Sequence, residues 1–305
     1  MKILIATLKP FAPAAIKQMK DLAKQAGYEL EILEKYDGQQ ALVDAVKDVD
    51  ALIVRSDKVT PEVIENANNL KVIVRAGAGY DNIDLEAASA KDIVVMNTPG
   101  QNANAVAELV LGMMVYMARN RFNGTAGTEL KGKILGIHAY GNVGKNVARI
   151  AKGFDMQVVA HDPYVSSEIV ERDGIKDFEE AEEMYKYAQY ISLHIPATKQ
   201  TIKSINYDLL KNMPENAVLI NTARKEVIDE DGLMQIMEER PDMKYISDIA
   251  PDKKAEFEEK FGDRVFFTPK KMGAQTAEAN INAGVAAVNQ IINFFKTGDI
   301  RFKVN

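Results

Sequence analysis

The chain has 305 residues, of which 47% are hydrophobic and 27% charged, and a formal net charge of −6. That length accommodates two domains with separate cores, and the mix is that of a soluble globular protein. The acidic balance argues against nucleic acid as a main partner, and the absence of cysteine excludes disulfides, thiolate nucleophiles and cysteine-bound metals.

From the N-terminus, KILIAT (2–7) is too short and too interrupted for a signal peptide and predicts a first strand. AAIKQMKDLAKQAG (14–27) has apolar residues at helical spacing, and Gly27 is placed to end that helix. YELEIL (28–33), DALIVRS (50–56) and LKVIVRAG (70–77) predict strands. Between the last two, Thr60 and Pro61 predict a helix start, with Thr60 as its cap. DIVVMNTPG (92–100) predicts a further strand and a stop.

NANAVAELVLGMMVYMARN (102–120) predicts a long apolar helix. Its most apolar part contains Glu108 and is too short to span a bilayer, so no membrane partner is expected. KILGIHAYG (133–141) predicts a strand and NVGKNVARIAKGFD (142–155) a helix. QVVAHDPY, YISLHIP, AVLINTA and KYISDIA predict more buried strands with helices between them. TAEANINAGVAAVNQIINFFKTG (276–298) predicts a last helix ending at Gly298. Continuous apolar strands separated by helices imply parallel sheets covered on both faces. Pro99 and Gly100 mark a domain boundary near 97–100. No His/Asp/Glu cluster has metal-ligand spacing.

LGIHAYGNVGKNVA carries an imperfect dinucleotide fingerprint. Gly141 suits backbone approach to a pyrophosphate and Gly144 suits close packing of helix on strand, while Ala139 stands where the first glycine belongs. The helix starting near Asn142 would turn its free N–H groups towards phosphates. The next strand ends in Asp162, near the ~20-residue interval expected for an acid that binds the adenosine ribose and favours NAD.

RAGAGYDNIDLEAA, NTPGQNANAVAEL, LGIHAYGNVGK, AHDPY, SLHIPAT, LINTARKEVIDEDGL and GAQTAEA resemble, in order, the motifs of the D-2-hydroxyacid dehydrogenase family. The likeness runs over nearly the whole chain and is greatest to its 3-phosphoglycerate dehydrogenases. It implies an α/β fold of two Rossmann-like or flavodoxin-like parallel-sheet domains with an intervening cleft. The substrate domain would be discontinuous, 1–97 with 282–305, and the dinucleotide domain would be 98–281. The family chemistry is hydride transfer between NAD and C2 of a small hydroxy acid. A cytoplasmic homodimer packed through the helix starting near Asn102 is implied as well. A chain of this length is also expected to lack a C-terminal regulatory domain and feedback control by serine.

The resemblance gives residues their roles. Arg224 would hold the substrate and polarise its carbonyl. Arg55 and Ser56 would take a substrate phosphate, with Arg75 and, more loosely, Lys9 adding charge. The backbone of Ala78 and Gly79 would hold the carboxylate. Tyr140, Gly141, Asn142, Val143, Gly144, Asp162, His194, Pro196, Thr201, Thr222, Ala223, Asp248, Gly273 and Ala274, together with Arg224, would surround NAD.

One departure matters most. The family moves the hydroxyl proton with a histidine paired to a glutamate. Here TPKKMGAQT (268–276) has Lys270 and Lys271 in that place, and Lys253 stands where the glutamate belongs, beside Asp252. Lys271 is taken as the acid/base, with His194 as its rival and Lys270 outside the first contact layer. A neutral lysine would need a depressed pKa, from burial or from a cation such as Arg224. Two further readings stay open: a dehydrogenase for another D-2-hydroxy acid, and a non-catalytic NAD-sensing corepressor-like protein.

Overall fold

A computed structural model describes all 305 residues, Met1–Asn305. In chain order its elements are β1 (Lys2–Thr7), α1 (Pro13–Gln25), β2 (Glu29–Glu34), α2 (Gly38–Ala45), β3 (Ala51–Val54), α3 (Pro61–Asn66), β4 (Val72–Arg75), α4 (Leu85–Ala90) and β5 (Val94–Asn97). Then follow α5 (Ala103–Ala118), β6 (Ile134–His138), α6 (Asn142–Lys152), β7 (Gln157–His161), α7 (Ser167–Arg172), β8 (Lys176–Asp177), α8 (Ala181–Tyr187) and β9 (Tyr190–Leu193). The rest are α9 (Tyr207–Leu210), β10 (Val218–Asn221), α10 (Glu230–Glu239), β11 (Lys244–Ser247), α11 (Lys254–Phe261), β12 (Val265–Phe267) and α12 (Ala277–Thr297). The chain divides into two units, one made of Met1–Asn102 with Thr276–Asn305, the other of Ala103–Gln275.

The first unit has a five-stranded parallel sheet in the order β2-β1-β3-β4-β5. Its four inner and far strands β1, β3, β4 and β5 are apolar at nearly every position because both faces are covered, while the edge strand β2, ELEILE, carries three glutamates and buries none of its residues. Ile3, Ile5, Ile53, Val72 and Val74 pack with Met19 and Ala23 of α1 and with Ala287 and Ile291 of α12. The alternate residues Leu4, Ala6, Leu52, Val54 and Ile73 pack with Leu42 of α2, Val63 and Ile64 of α3 and Ala88 of α4. Helix α12 begins with a real cap, the Thr276 hydroxyl accepting from the Ala279 N–H at 3.1 Å, and ends at Gly298 in the left-handed region, φ 71°. Thr60 does not act as expected. It occupies the N-cap position of α3 but its hydroxyl makes no capping bond, so Pro61 and the backbone alone start that helix.

The second unit has a seven-stranded parallel sheet in the order β12-β11-β10-β9-β6-β7-β8. The strand order reverses between β6 and β9. In doubly wound sheets that reversal opens a crevice at the carboxyl ends, where ligands bind. Leu135 and Ile137 face α5 and α6, while Leu219, Tyr245 and Ile191 face the opposite core with Met184 and Tyr185 of α8. Nine α5 residues, among them Val106, Val110, Met113, Met114 and Met117, are buried, so its apolar character is largely absorbed by its own unit. No helix is long and apolar enough to cross a membrane.

Candidate functional site

In the second unit the fingerprint sits at the reversal point. Helix α6 starts at Asn142 with Gly141 as its N-cap. A Cβ on Gly141 would meet nothing within 4 Å, so a ligand phosphate could approach the backbone there. Gly144 is different: a Cβ there would collide with the Ala139 carbonyl oxygen and lie 2.9 Å from Cγ2 of Ile137. Only glycine lets α6 lie this close to β6. Ala139 pays for its departure from the pattern, because it adopts φ 80°, a conformation unfavourable to any residue with a Cβ. Relief of that strain, less the extra chain entropy of glycine, leaves Ala139→Gly about 0.5–1 kcal/mol more stable. A rise of roughly 1–4 °C in thermal midpoint is expected, and an unchanged or lower midpoint would contradict the strain.

Asp162 follows β7. Its Oδ2 accepts the Tyr140 N–H at 2.7 Å and its Oδ1 the Tyr164 N–H at 2.8 Å, so each oxygen keeps a lone pair for a ribose hydroxyl. The Tyr140 side chain points elsewhere. It is buried, and its hydroxyl donates to Asp173 at 3.0 Å, so only its backbone remains for a cofactor. After β9, the Thr201 hydroxyl donates to the Pro196 carbonyl at 2.5 Å and accepts the Thr198 N–H at 2.8 Å, which pins the loop that carries Pro196.

All three histidines lie at the ends of neighbouring strands. His138 pairs in register with His161, and the rings stand 5.4 Å apart. His138 Nδ1 is 3.1 Å from the Tyr185 hydroxyl, His161 Nδ1 donates to the Phe178 carbonyl at 2.9 Å, and His194 Nε2 is 3.0 Å from Ser192 Oγ. Burial pushes the pKa of His138 down to about 3, with His161 and His194 adding to the effect. Burial alone pushes His194 down to about 3.

Arg224 lies just beyond β10. The buried side chain of Asn221 braces this turn, donating to the Arg224 carbonyl and accepting the Ala223 N–H, both at 2.9 Å. One Arg224 nitrogen donates to the Ala223 carbonyl at 2.9 Å, and the remaining donors of the fork are not tied to a carboxylate. Beside it the Thr222 hydroxyl oxygen is buried and has no hydrogen-bond partner. An orphaned hydroxyl here is what a site completed by a bound polar group would contain.

The lysine-bearing loop is held by Asp248. This carboxylate is buried, and its Oδ1 accepts the Met272 N–H at 2.7 Å and the Thr268 hydroxyl at 2.8 Å. Its Oδ2 accepts the Gly273 N–H at 2.8 Å. Lys270 and Lys271 are both exposed, while Gly273 is buried and Ala274 half-buried. The two residues at the glutamate position are committed elsewhere. Asp252 pairs with Lys225 at 2.5 Å, and Lys253 pairs with Asp231, which raises the lysine pKa. Glu230 fixes this second loop by accepting the N–H groups of Asp252 at 2.8 Å and Lys253 at 2.9 Å.

In the first unit the expected phosphate residues gather at the carboxyl ends of β3 and β4. Arg55 donates to the carbonyls of Lys9 at 2.8 Å and Pro10 at 3.1 Å and to the side-chain oxygen of Asn280. It also lies over the Phe11 ring, 4.9 Å from the centroid. Burial lowers its pKa, opposed by Asp57. Arg75 Nε donates to the Arg55 carbonyl at 3.0 Å, while Ser56 and Lys9 are exposed. The Ala78 carbonyl accepts from Asn97 at 2.6 Å, and the N–H groups of Ala78 and Gly79 have no backbone acceptor. Asn221, Thr268, Glu230 and Asn280 were missed by sequence reasoning. A polar side chain closing an apolar strand, as in LIN and FFT, was the available signal for the first two.

Comparison with known proteins agrees with this geometry. Residues 103–270 match the family model described as D-isomer specific 2-hydroxyacid dehydrogenase, NAD binding domain. A solved NAD⁺-bound 3-phosphoglycerate dehydrogenase of Entamoeba histolytica is 48% identical, with a TM-score of 0.89 over 100% of this chain and 98% of that one. The D-3-phosphoglycerate dehydrogenase of Methanocaldococcus jannaschii is 38% identical over 83% of this chain and 51% of its own length. Hydroxypyruvate reductase of Thermotoga maritima is 35% identical over 86% of this chain and 90% of its own. The chain thus spans about half the length of the Methanocaldococcus enzyme, and nearly all of the Thermotoga one. The chain belongs to the D-isomer-specific 2-hydroxyacid dehydrogenase family and carries its NAD binding domain.

Proposed function

We propose that the chain oxidises 3-phosphoglycerate to 3-phosphohydroxypyruvate with NAD, the first step of phosphorylated serine biosynthesis. Arg55 carries the choice of substrate. It is a half-buried guanidinium whose hydrogen-bond partners are carbonyl and amide oxygens, so its charge is available to a phosphate. The name of the Entamoeba relative supports the same choice.

NAD would be held by the N–H groups at the start of α6, by Asp162 at the ribose, and by Thr222 and Ala223 at the nicotinamide end, whereas the Asp248 carboxylate is buried and committed to the lysine loop. Bound there, it supplies the hydride acceptor. The residues of the chain do the rest. Arg224 holds the substrate carboxylate and the oxygen on C2. The backbone of Ala78 and Gly79 offers N–H groups to the carboxylate, and Arg55 and Ser56 hold the phosphate. Lys271, in its neutral form, takes the proton leaving the C2 hydroxyl; in the reverse direction its ammonium returns it.

The test is NADH formation from 3-phosphoglycerate between about pH 7 and 10, a range that brackets free lysine near ~10.4. The rate is expected to rise towards alkaline pH, and Lys271→Ala is expected to lose roughly 10²-fold in turnover. Unchanged turnover in the variant would remove Lys271 from the reaction. A second reading, reduction of hydroxypyruvate or glyoxylate, is favoured by the Thermotoga relative and by a 36% identical glyoxylate reductase of Thermococcus litoralis. Preference for those two acids with NADH over 3-phosphoglycerate with NAD would select it.

A further inference from the structure

The hydrogen bonds around Lys271 form a clamp. On its C-terminal side, the N–H groups of Met272 and Gly273 enter the two oxygens of Asp248, at 2.7 and 2.8 Å. On its N-terminal side, the Lys270 carbonyl lies 2.9 Å from the Thr268 hydroxyl oxygen, which also reaches Asp248 Oδ1 at 2.8 Å. The peptide unit after Lys271 is therefore tied directly to the carboxylate, while the one before it and the carboxylate share the single proton of the Thr268 hydroxyl. The carboxylate is itself fixed, since it is 1% exposed and the Asp248 N–H donates to the Asn221 carbonyl at 3.0 Å. Gly273 leaves no slack: a Cβ there would lie 3.1 Å from Asp248 Oδ2 and 3.1 Å from Cγ2 of Val106. Lys271 is thus an exposed side chain on a backbone held in one conformation.

We propose that Asp248, with Thr268 as its relay, is the positioning residue for the proton-transfer lysine. The inference rests on the Lys271 reading. A long side chain on a free loop would sample many positions, and proton transfer needs hydrogen-bond reach. Fixing the backbone on both sides leaves only the side-chain torsions to be ordered.

The experiment is a double-mutant cycle of Asp248→Asn and Lys271→Ala, with hydrogen exchange on the ligand-free protein. An asparagine at 248 offers one acceptor oxygen and turns an NH₂ towards the other N–H, breaking half of the clamp. Exchange at the Met272 and Gly273 amides is expected to quicken in Asp248→Asn. Its turnover is expected to fall roughly 10-fold or more, the loss set by a misplaced acid/base. In the Lys271→Ala background the same change is expected to cost almost nothing further, because residues acting as a unit are not additive. NADH affinity, read by fluorescence, is expected to change less than turnover. Thr268→Val, which keeps the carboxylate and removes the relay, is expected to give a smaller loss with the same non-additivity, and it serves if Asp248→Asn does not fold. Multiplicative losses, or a loss confined to NADH affinity, would overturn the clamp. Full turnover in Lys271→Ala alone would instead sink the lysine reading on which it stands.

Discussion

Arg224→Ala is expected to lower kcat/KM for the hydroxy acid by roughly 10³-fold while leaving NADH affinity and the thermal midpoint nearly intact. The turn carrying this residue is built from Asn221, which ties the Ala223 N–H and the Arg224 carbonyl. Both bonds use backbone atoms of the turn, so truncating the Arg224 side chain does not dismantle it. The only side-chain bond lost is the one to the neighbouring Ala223 carbonyl, at 2.9 Å. What disappears is a planar fork at the end of β10, in the region where doubly wound sheets bind ligands. Removing one partner of a charged, hydrogen-bonded pair costs about 2–5 kcal/mol, and each ~1.4 kcal/mol is tenfold in rate. Arg224→Lys separates charge from geometry, since an ammonium keeps the charge and loses the two-pronged contact. It is expected to recover only part of the loss, mostly in KM. A variant with near wild-type kcat/KM in steady-state assays would remove Arg224 from the substrate.

How far the sequence foretold the molecule depends on the range of the interactions involved. Most strands of both sheets were legible because they are runs of apolar residues, a pattern that requires cover on both faces, whereas the two-residue β8 (Lys176–Asp177) and the short edge strand β12 (Val265–Phe267) were not read. The glycine pattern from Gly141 to Gly144 was legible for the same reason: its constraint is local, a helix pressed on the strand that precedes it. The clamps were not. Asp248 meets Met272 and Gly273, and Glu230 meets Asp252 and Lys253, only after adjacent parallel strands fall into register. Arg55 was found as a strand-end cation, but its partner Asn280 lies 225 positions away and enters through the returning helix α12. Thr60 shows the converse error. Its residue type promised a capping bond, whereas its hydroxyl is buried without a partner; residue preference is a weaker force than the packing that sets the side-chain direction. The replacement of histidine by lysine was plain in the sequence, but the device that holds Lys271 in place was not.

The second unit is expected to become acid-labile below about pH 6.5, and histidine rather than carboxylate chemistry sets that onset. His138 and His194 are each pushed down to about 3 in the folded chain, against ~6.5 when unfolded. A base with a lowered folded pKa is neutral in the folded state and protonated in the unfolded one across that interval. Its contribution to stability is therefore complete above pH 6.5 and is lost progressively as pH falls towards 3. At pH 5 the loss is about 2 kcal/mol for the buried His138 and at most that for the half-buried His194, out of a total that seldom exceeds about 15. The groups facing His138 explain why it stays neutral. They are the Tyr185 hydroxyl and two further histidine rings, and no carboxylate is among them to stabilise an imidazolium. Carboxylates with ordinary values near ~4 titrate mostly below pH 5, so comparing urea midpoints at pH 7.5 and 5.0 isolates the histidines. His138→Asn can keep a hydrogen bond to Tyr185 and cannot take up a proton. It is expected to be less stable than wild type at pH 7.5 and to lose at most about half as much on going to pH 5.0. Identical wild-type midpoints at the two pH values would show that the cluster at the ends of β6, β7 and β9 admits protons freely, and that these rings are not desolvated in the folded chain.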